Sequence, residues 1–288
     1  MQSYTIAGHV IQISGKGLDS LPGFSIFSSE KPDIKPLLTI CTEKKIEDWN
    51  FTPCFSSKYE ETSYDLSIKD KVFLLRMKQA AGSCLLAEIR SEGNCFRATL
   101  NQTGIFNKYS LSFFCWLIFG IAALSRQTVS IHSSTVMIEG KSILFLGESG
   151  TGKSTQTGLW LKHIPNTEML NDDSPFIKVE TDGNIRVYGS PWSGKTPCYK
   201  NINTEIAAFV RVSQAPFNRV RRLRGIEAIG ALQPSCPFAF VYDNKLAESI
   251  YSILSNTLLQ IPVFHLECLP DKDAAELVYL TLKQDNIL

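Results

Sequence analysis

The feature that most constrains this chain is Gly147-Glu148-Ser149-Gly150-Thr151-Gly152-Lys153-Ser154-Thr155. Ahead of it, Ser142-Ile143-Leu144-Phe145-Leu146 is a short apolar run that suits a buried strand; behind it, Thr155 to His163 suits a helix. The stretch fits G-x-x-x-x-G-K-[ST], the Walker A pattern, in the strand–loop–helix setting that the pattern needs. Its glycines let successive backbone N–H groups wrap phosphate oxygens, and the helix N-terminus adds positive potential. Lys153 is placed to reach the β- and γ-phosphates and Ser154 to ligate Mg²⁺. The nine residues from Gly147 to Thr155 are therefore the expected nucleotide-binding set, with a nucleoside triphosphate as ligand.

A second stretch, Gly189-Ser190-Pro191-Trp192-Ser193-Gly194-Lys195-Thr196, fits the same expression after a plausible strand, Ile185 to Tyr188. Pro197 follows directly, no amphipathic helix comes after it, and Pro191 restricts the loop. It reads as a loop rather than a second phosphate cradle. Lys195 is either a solvated lysine or a contact to a phosphate or acidic substrate.

Composition excludes several classes. A net charge of +1 gives no electrostatic case for nucleic acid or an acidic membrane surface. The exception is local: Arg219, Arg221, Arg222 and Arg224 form either a solvated face or an anion site near the nucleotide, with Arg222 the candidate contact. The 8 cysteines show no C-x-x-C and no zinc-like spacing with histidine. The N-terminus lacks a basic region followed by an apolar core. A cytoplasmic protein with reduced cysteines is expected. Phe113 to Leu124 carries no charge, but a spanning helix needs about 20 apolar residues, so it is expected as a buried helix and not a membrane segment.

Residues 1 to about 105 read as β-rich, with Val72–Met77, Cys84–Ile89 and Phe96–Leu100 spaced as an antiparallel meander. A helix is expected over about 107–126. Strands are expected near Val129–His132, Thr135–Ile138, Phe176–Val179, Ile185–Tyr188, Ala207–Val212 and Val263–Glu267, with helices at Gly225–Ala231, Ala247–Leu258 and Asp273–Leu282.

Asp172-Asp173 lies one helix and one returning strand beyond Lys153, which would bring two carboxylates back to the loop at the C-terminal edge of a sheet. Such a pair can divide the work of holding a metal and activating an acceptor, and like charge is expected to raise the pKa of one of them. The alternative is a pair of turn or N-cap aspartates. His132 sits one hairpin upstream of the loop; alone, it is an ordinary structural histidine.

His132, the loop and Asp172-Asp173 together resemble the catalytic domain of bacterial HPr kinase/phosphorylase, a family related in fold to the phosphoenolpyruvate carboxykinases. Its pattern is a histidine, a short hairpin, G-[DE]-S-G-x-G-K-S, a helix, and a strand ending in A-D-D; here the last reads Asn171-Asp172-Asp173. The resemblance implies an α/β (α+β overall) chain: a P-loop kinase domain over 106–288 behind a β-rich region over 1–105. It implies ATP and Mg²⁺ as cofactors, with Lys153 on the phosphates and Ser154 and Asp172 at the metal. One of Asp172 and Asp173 would activate a hydroxyl, and His132 would line the phosphate site. The implied activity is transfer of the γ-phosphoryl of ATP to a serine of a protein or peptide, or to a small molecule, by an oligomer of this chain. Thr155 stands where the family usually has glutamate, Ser133 where it has glycine, and its L-E-x-R-G-x-G segment is not found. A nucleotide-binding regulatory or scaffold module without turnover is the competing reading.

Overall fold

A computed structural model of the chain describes residues 1–29, 34–42, 52–79, 82–194 and 197–288. It divides into two compact units: Met1–Arg126 with Ala239–Glu248, and Gln127–Phe238 with Ser249–Leu288.

In the first unit the described residues form an eight-stranded sheet of β1 (Gln2–Ile6), β2 (His9–Ser14), β3 (Leu38–Thr42), β4 (Phe55–Tyr59), β5 (Thr62–Lys69), β6 (Val72–Lys78), β7 (Cys84–Glu92) and β8 (Cys95–Thr103). The spatial order is β1-β2-β3-β8-β7-β6-β5-β4. β6 to β8 form the antiparallel meander that the turn spacing predicts, and β4 and β5 extend it by two further antiparallel strands. β3 departs from it, pairing parallel with both β2 and β8. The Ala80-Ala81-Gly82 stretch between β6 and β7, which reads as a turn in the sequence, falls partly outside the described residues. Helix α1 (Lys108–Leu124) belongs to this unit; Asn107 caps it by accepting from the Ser110 N–H at 2.9 Å. Leu111, Phe114, Ile118, Phe119 and Leu124 are buried, so its unbroken apolar character reflects a helix packed inside protein. Among the described residues no helix is long and apolar enough to cross a membrane.

The second unit is built on β9 (Thr128–Ser130), β10 (Ser133–Ile138), β11 (Lys141–Leu146), α2 (Lys153–His163), β12 (Thr167–Asp173), β13 (Phe176–Val179), β14 (Ile185–Tyr188), β15 (Asn203–Gln214), β16 (Arg219–Leu223), α3 (Ile226–Leu232), α4 (Asn244–Gln260, its first residues in the first unit), β17 (Val263–Cys268) and α5 (Lys272–Gln284). Its sheet runs β12-β10-β11-β15-β14-β13-β9, with β17 beside β15 and β16 beside β17. β11, β15 and β17 are mutually parallel, and β10 lies antiparallel between β11 and β12. Alternating apolar residues of these strands, among them Val136, Phe145, Val210 and Leu266, meet Trp160 of α2 and Ala274, Val278 and Leu282 of α5. Trp160 is fully buried, with Phe145 and Tyr279 edge-on at 5.8 and 6.1 Å; truncating such a side chain costs about 3–5 kcal/mol. This core fixes α2, and with it the loop that α2 follows.

Candidate active site

The glycine loop leaves the end of β11 and enters α2 at Lys153. Gly147 has φ 145°, and a Cβ there would stand 2.5 Å from Thr151 Oγ1 and 3.1 Å from the Val212 carbonyl oxygen, so this position takes glycine for two reasons at once. Gly152 caps α2 with a left-handed backbone. The loop is tied internally by Thr151 Oγ1 donating to the Glu148 carbonyl at 2.9 Å, and from β15 by Gln214 Nε2 donating to the Gly150 carbonyl at 3.0 Å. A cradle that side chains would fill, open at a helix N-terminus, fits a chain of phosphates.

Lys153 Nζ donates to the carbonyls of Gly147 at 2.7 Å and Glu148 at 3.1 Å, folded back along the loop. Burial lowers its pKa, and the nearby Arg211 charge acts in the same direction, against the opposing pull of Asp173 and Asp172. Ser154 Oγ donates to Asp172 Oδ1 at 3.1 Å. Asp172 is only 6% exposed. The register explains the meeting: β10 sets Ser133 opposite Leu146 on one side, and Ser134 and Asp172, then Ser133 and Asp173, opposite each other on the other. One strand thus separates the loop from the carboxylates, and Ser134 of that strand reaches Thr157 of α2 at 2.9 Å between the two hydroxyls.

Asp173 turns the other way. Its Oδ1 lies 3.2 Å from His132 Nδ1, and its Oδ2 accepts from Ser174 Oγ at 2.8 Å. His132 is held at the start of β10 by its own N–H, which donates to the Ser235 carbonyl at 2.7 Å. The expectation that like charge lifts one carboxylate's pKa is corrected here for Asp173. Burial does push it up, but the hydrogen bonds from His132 and Ser174 and the His132 and Lys153 charges outweigh that and hold it below the ordinary value.

His132, Ser149 through Gln156, Asp172 and Asp173 line one cavity of about 930 Å³, whose other wall is formed by Val212, Gln214, Cys268 and Pro270 at the ends of β15 and β17. Lys195 lies outside the described residues. Arg222 is exposed on β16 and does not line this cavity. Arg219 and Arg221 are engaged by Glu267 and Glu227, at 2.5 and 3.0 Å. The arginine nearest the loop is one that sequence reasoning passed over: Arg211, opposite Leu146 across β11 and β15, approaches Glu148 at 3.9 Å and donates to the Ala231 carbonyl at 3.3 Å. Its signal was a single charge inside the apolar run Ala207–Val212. Among the described residues no group of three or more His, Cys, Asp and Glu is arranged to hold a metal. Ser154 and Asp172 form a two-ligand oxygen set, which suits Mg²⁺ taken together with substrate phosphates.

No protein-family model matches the chain, and no curated protein matches it. Among solved structures, an HPr(Ser) kinase/phosphatase from Coxiella burnetii matches at 12% identity over 55% of this chain and 96% of that chain, with a TM-score of 0.30. That likeness is distant, and the chemistry of the site rests on its own residues.

Proposed function

We propose that this chain is a phosphotransferase that binds ATP with Mg²⁺ and moves the γ-phosphoryl group to a hydroxyl of a protein, peptide or small molecule, its catalytic domain lying within residues 106–288. The observation that carries the reading is the Ser154–Asp172 contact at the mouth of the glycine cradle, with Asp173 and His132 in the same cavity. The backbone N–H groups from Gly150 to Ser154 hold the phosphates, and Lys153 exchanges its two loop carbonyls for phosphate oxygens. Ser154 and Asp172 would hold Mg²⁺, which when bound would supply positive charge beside the phosphates. Asp173, ionised at neutral pH and steadied by His132, accepts a hydrogen bond from the acceptor hydroxyl. As the acceptor oxygen bonds to phosphorus and the β–γ bridge breaks, the hydroxyl proton passes to Asp173 and ADP leaves. A weakly basic carboxylate suffices because a loose transition state asks mainly for position and charge. On sequence grounds alone, Lys195 and Arg222 remain proposed contacts to the acceptor.

The test is transfer from γ-labelled ATP to serine-bearing proteins, peptides and free hydroxyl compounds, with Lys153→Ala alongside and nucleotide binding measured on the same samples. Label on an acceptor, lost in the variant, supports the kinase. Full transfer by Lys153→Ala refutes the site. Tight binding without transfer favours the regulatory module.

A further inference from the structure

We infer that Asn171 is the positioning residue of the Asp172–Asp173 pair, and that through its amide the Ser190–Gly194 loop governs metal-dependent nucleotide binding. The inference rests on the nucleotide and metal reading above. Asn171 stands where the family pattern has alanine, and its side chain is wholly buried. Both ends of its amide are used. Oδ1 accepts from the Ser174 N–H at 2.9 Å, closing the turn that holds the two aspartates, and Nδ2 donates to the Trp192 carbonyl at 3.1 Å and the Ser190 carbonyl at 3.3 Å.

The same turn is gripped from the loop side. Ser190 Oγ donates to the Ser174 carbonyl at 2.7 Å, the Gly194 N–H donates to the Asp172 carbonyl at 2.5 Å, and Ser193 bridges to Asp173 as an isolated antiparallel pair. Gly194 permits this approach, since a Cβ there would stand 3.0 Å from the Asp172 oxygen. What is gripped is a strained backbone: Asp173 has φ 146°, a conformation an L-residue holds only where its surroundings over-determine it. Released, that residue relaxes, and the Asp172 carboxylate loses the orientation that puts Oδ1 on Ser154. An alanine at 171 removes both halves of the clamp. An aspartate keeps the acceptor but turns a carboxylate toward two carbonyl oxygens, and is expected to be worse.

The experiment is titration of a fluorescent ATP analogue with and without Mg²⁺, on the full chain and on Asn171→Ala and Ser190→Ala, with thermal unfolding recorded on each. The wild type binds more tightly with Mg²⁺. Asn171→Ala is expected to lose about 10–100-fold in apparent Mg²⁺ affinity, the range found when a group orienting a metal ligand is removed, with metal-free nucleotide affinity unchanged. Ser190→Ala, which leaves the amide in place, is expected to show a smaller loss of the same kind and serves if Asn171→Ala does not fold. Unchanged metal dependence in the folded variants overturns the inference while leaving the nucleotide site standing. Equal loss with and without metal also overturns it, as mere structural damage. A wild type that binds no nucleotide overturns the site reading, and the inference with it.

Discussion

Two stretches of this chain satisfy the same eight-residue expression, and they do different things with it. In Gly147–Ser154 the glycines Gly147, Gly150 and Gly152 have φ of 145°, 83° and 109°, so glycine there serves backbone conformation. In the second stretch Gly189 and Gly194 are not in that region. Glycine there serves approach: a Cβ on Gly189 would stand 2.0 Å from the Lys200 carbonyl oxygen, and one on Gly194 3.0 Å from that of Asp172. The first makes a concave row of donors ahead of a helix. The second presses its backbone against the strand that carries the aspartates. A pattern of residue types does not distinguish these uses; the elements on either side do.

The largest effect that could break this contrast is at the two lysines. Lys153→Ala is expected to lower transfer by roughly 10²–10³-fold, as when a preorganised charge donor is removed. Lys195→Ala should leave nucleotide affinity within about twofold. Equal losses in a nucleotide titration would mean that both loops hold phosphate. Next come the glycines. Gly147→Ala should cost about 1–3 kcal/mol of stability in denaturant unfolding and abolish nucleotide binding. Gly194→Ala should spare metal-free binding and weaken only its Mg²⁺ dependence.

A smaller effect concerns acid. The Asp173 pKa is lowered from 3.8, so the stability this carboxylate contributes is fully present above its unfolded value and is lost as pH falls through the lower folded value. Asp173→Asn should therefore flatten the acid limb of unfolding, measured from about pH 5 down to about pH 2. A limb as steep as the wild type's would mean that His132 does not stabilise the ionised form. The smallest effect is expected at Arg222→Ala: no change in nucleotide affinity, and any change confined to the KM of the acceptor. Arg211→Gln, beside the loop, should instead lower nucleotide affinity.

The convergence of His132, the loop and the aspartates is legible in the sequence because each step between them is local: a hairpin, a loop, a helix, a strand. What was not legible depends on distant pairing. Arg211 comes beside Leu146 only through a parallel partner beyond the second loop. β4 and β5 are not legible because Ser56, Ser57, Lys58, Thr62 and Ser63 dilute the apolar alternation, and Ser56 and Arg76 are instead bonded to Asp65 at 2.7 and 2.8 Å. The parallel placement of β3 likewise leaves no mark in its own residues. The low pKa of Asp173 could not be foreseen from two adjacent acids, because its two strongest stabilisers are a histidine just ahead of β10 and its own neighbour Ser174.

The antiparallel strand wedged between β11 and β12 acts as a ruler. Because β10 and β11 are joined by a two-residue turn at Glu139-Gly140 and paired without a bulge, the sequence interval from His132 to Gly147 is a fixed length, not a free parameter. A single-residue insertion in β10 would invert the side chains beyond it and carry His132 away from Asp173, and one in β11 would shift the glycine loop against β10, whereas lengthening the turn itself leaves the scale intact. Evolution can therefore edit this hairpin at its tip but not along its arms, and a reporter spliced in at Gly140 would ride at the opposite end of the sheet from the chemistry.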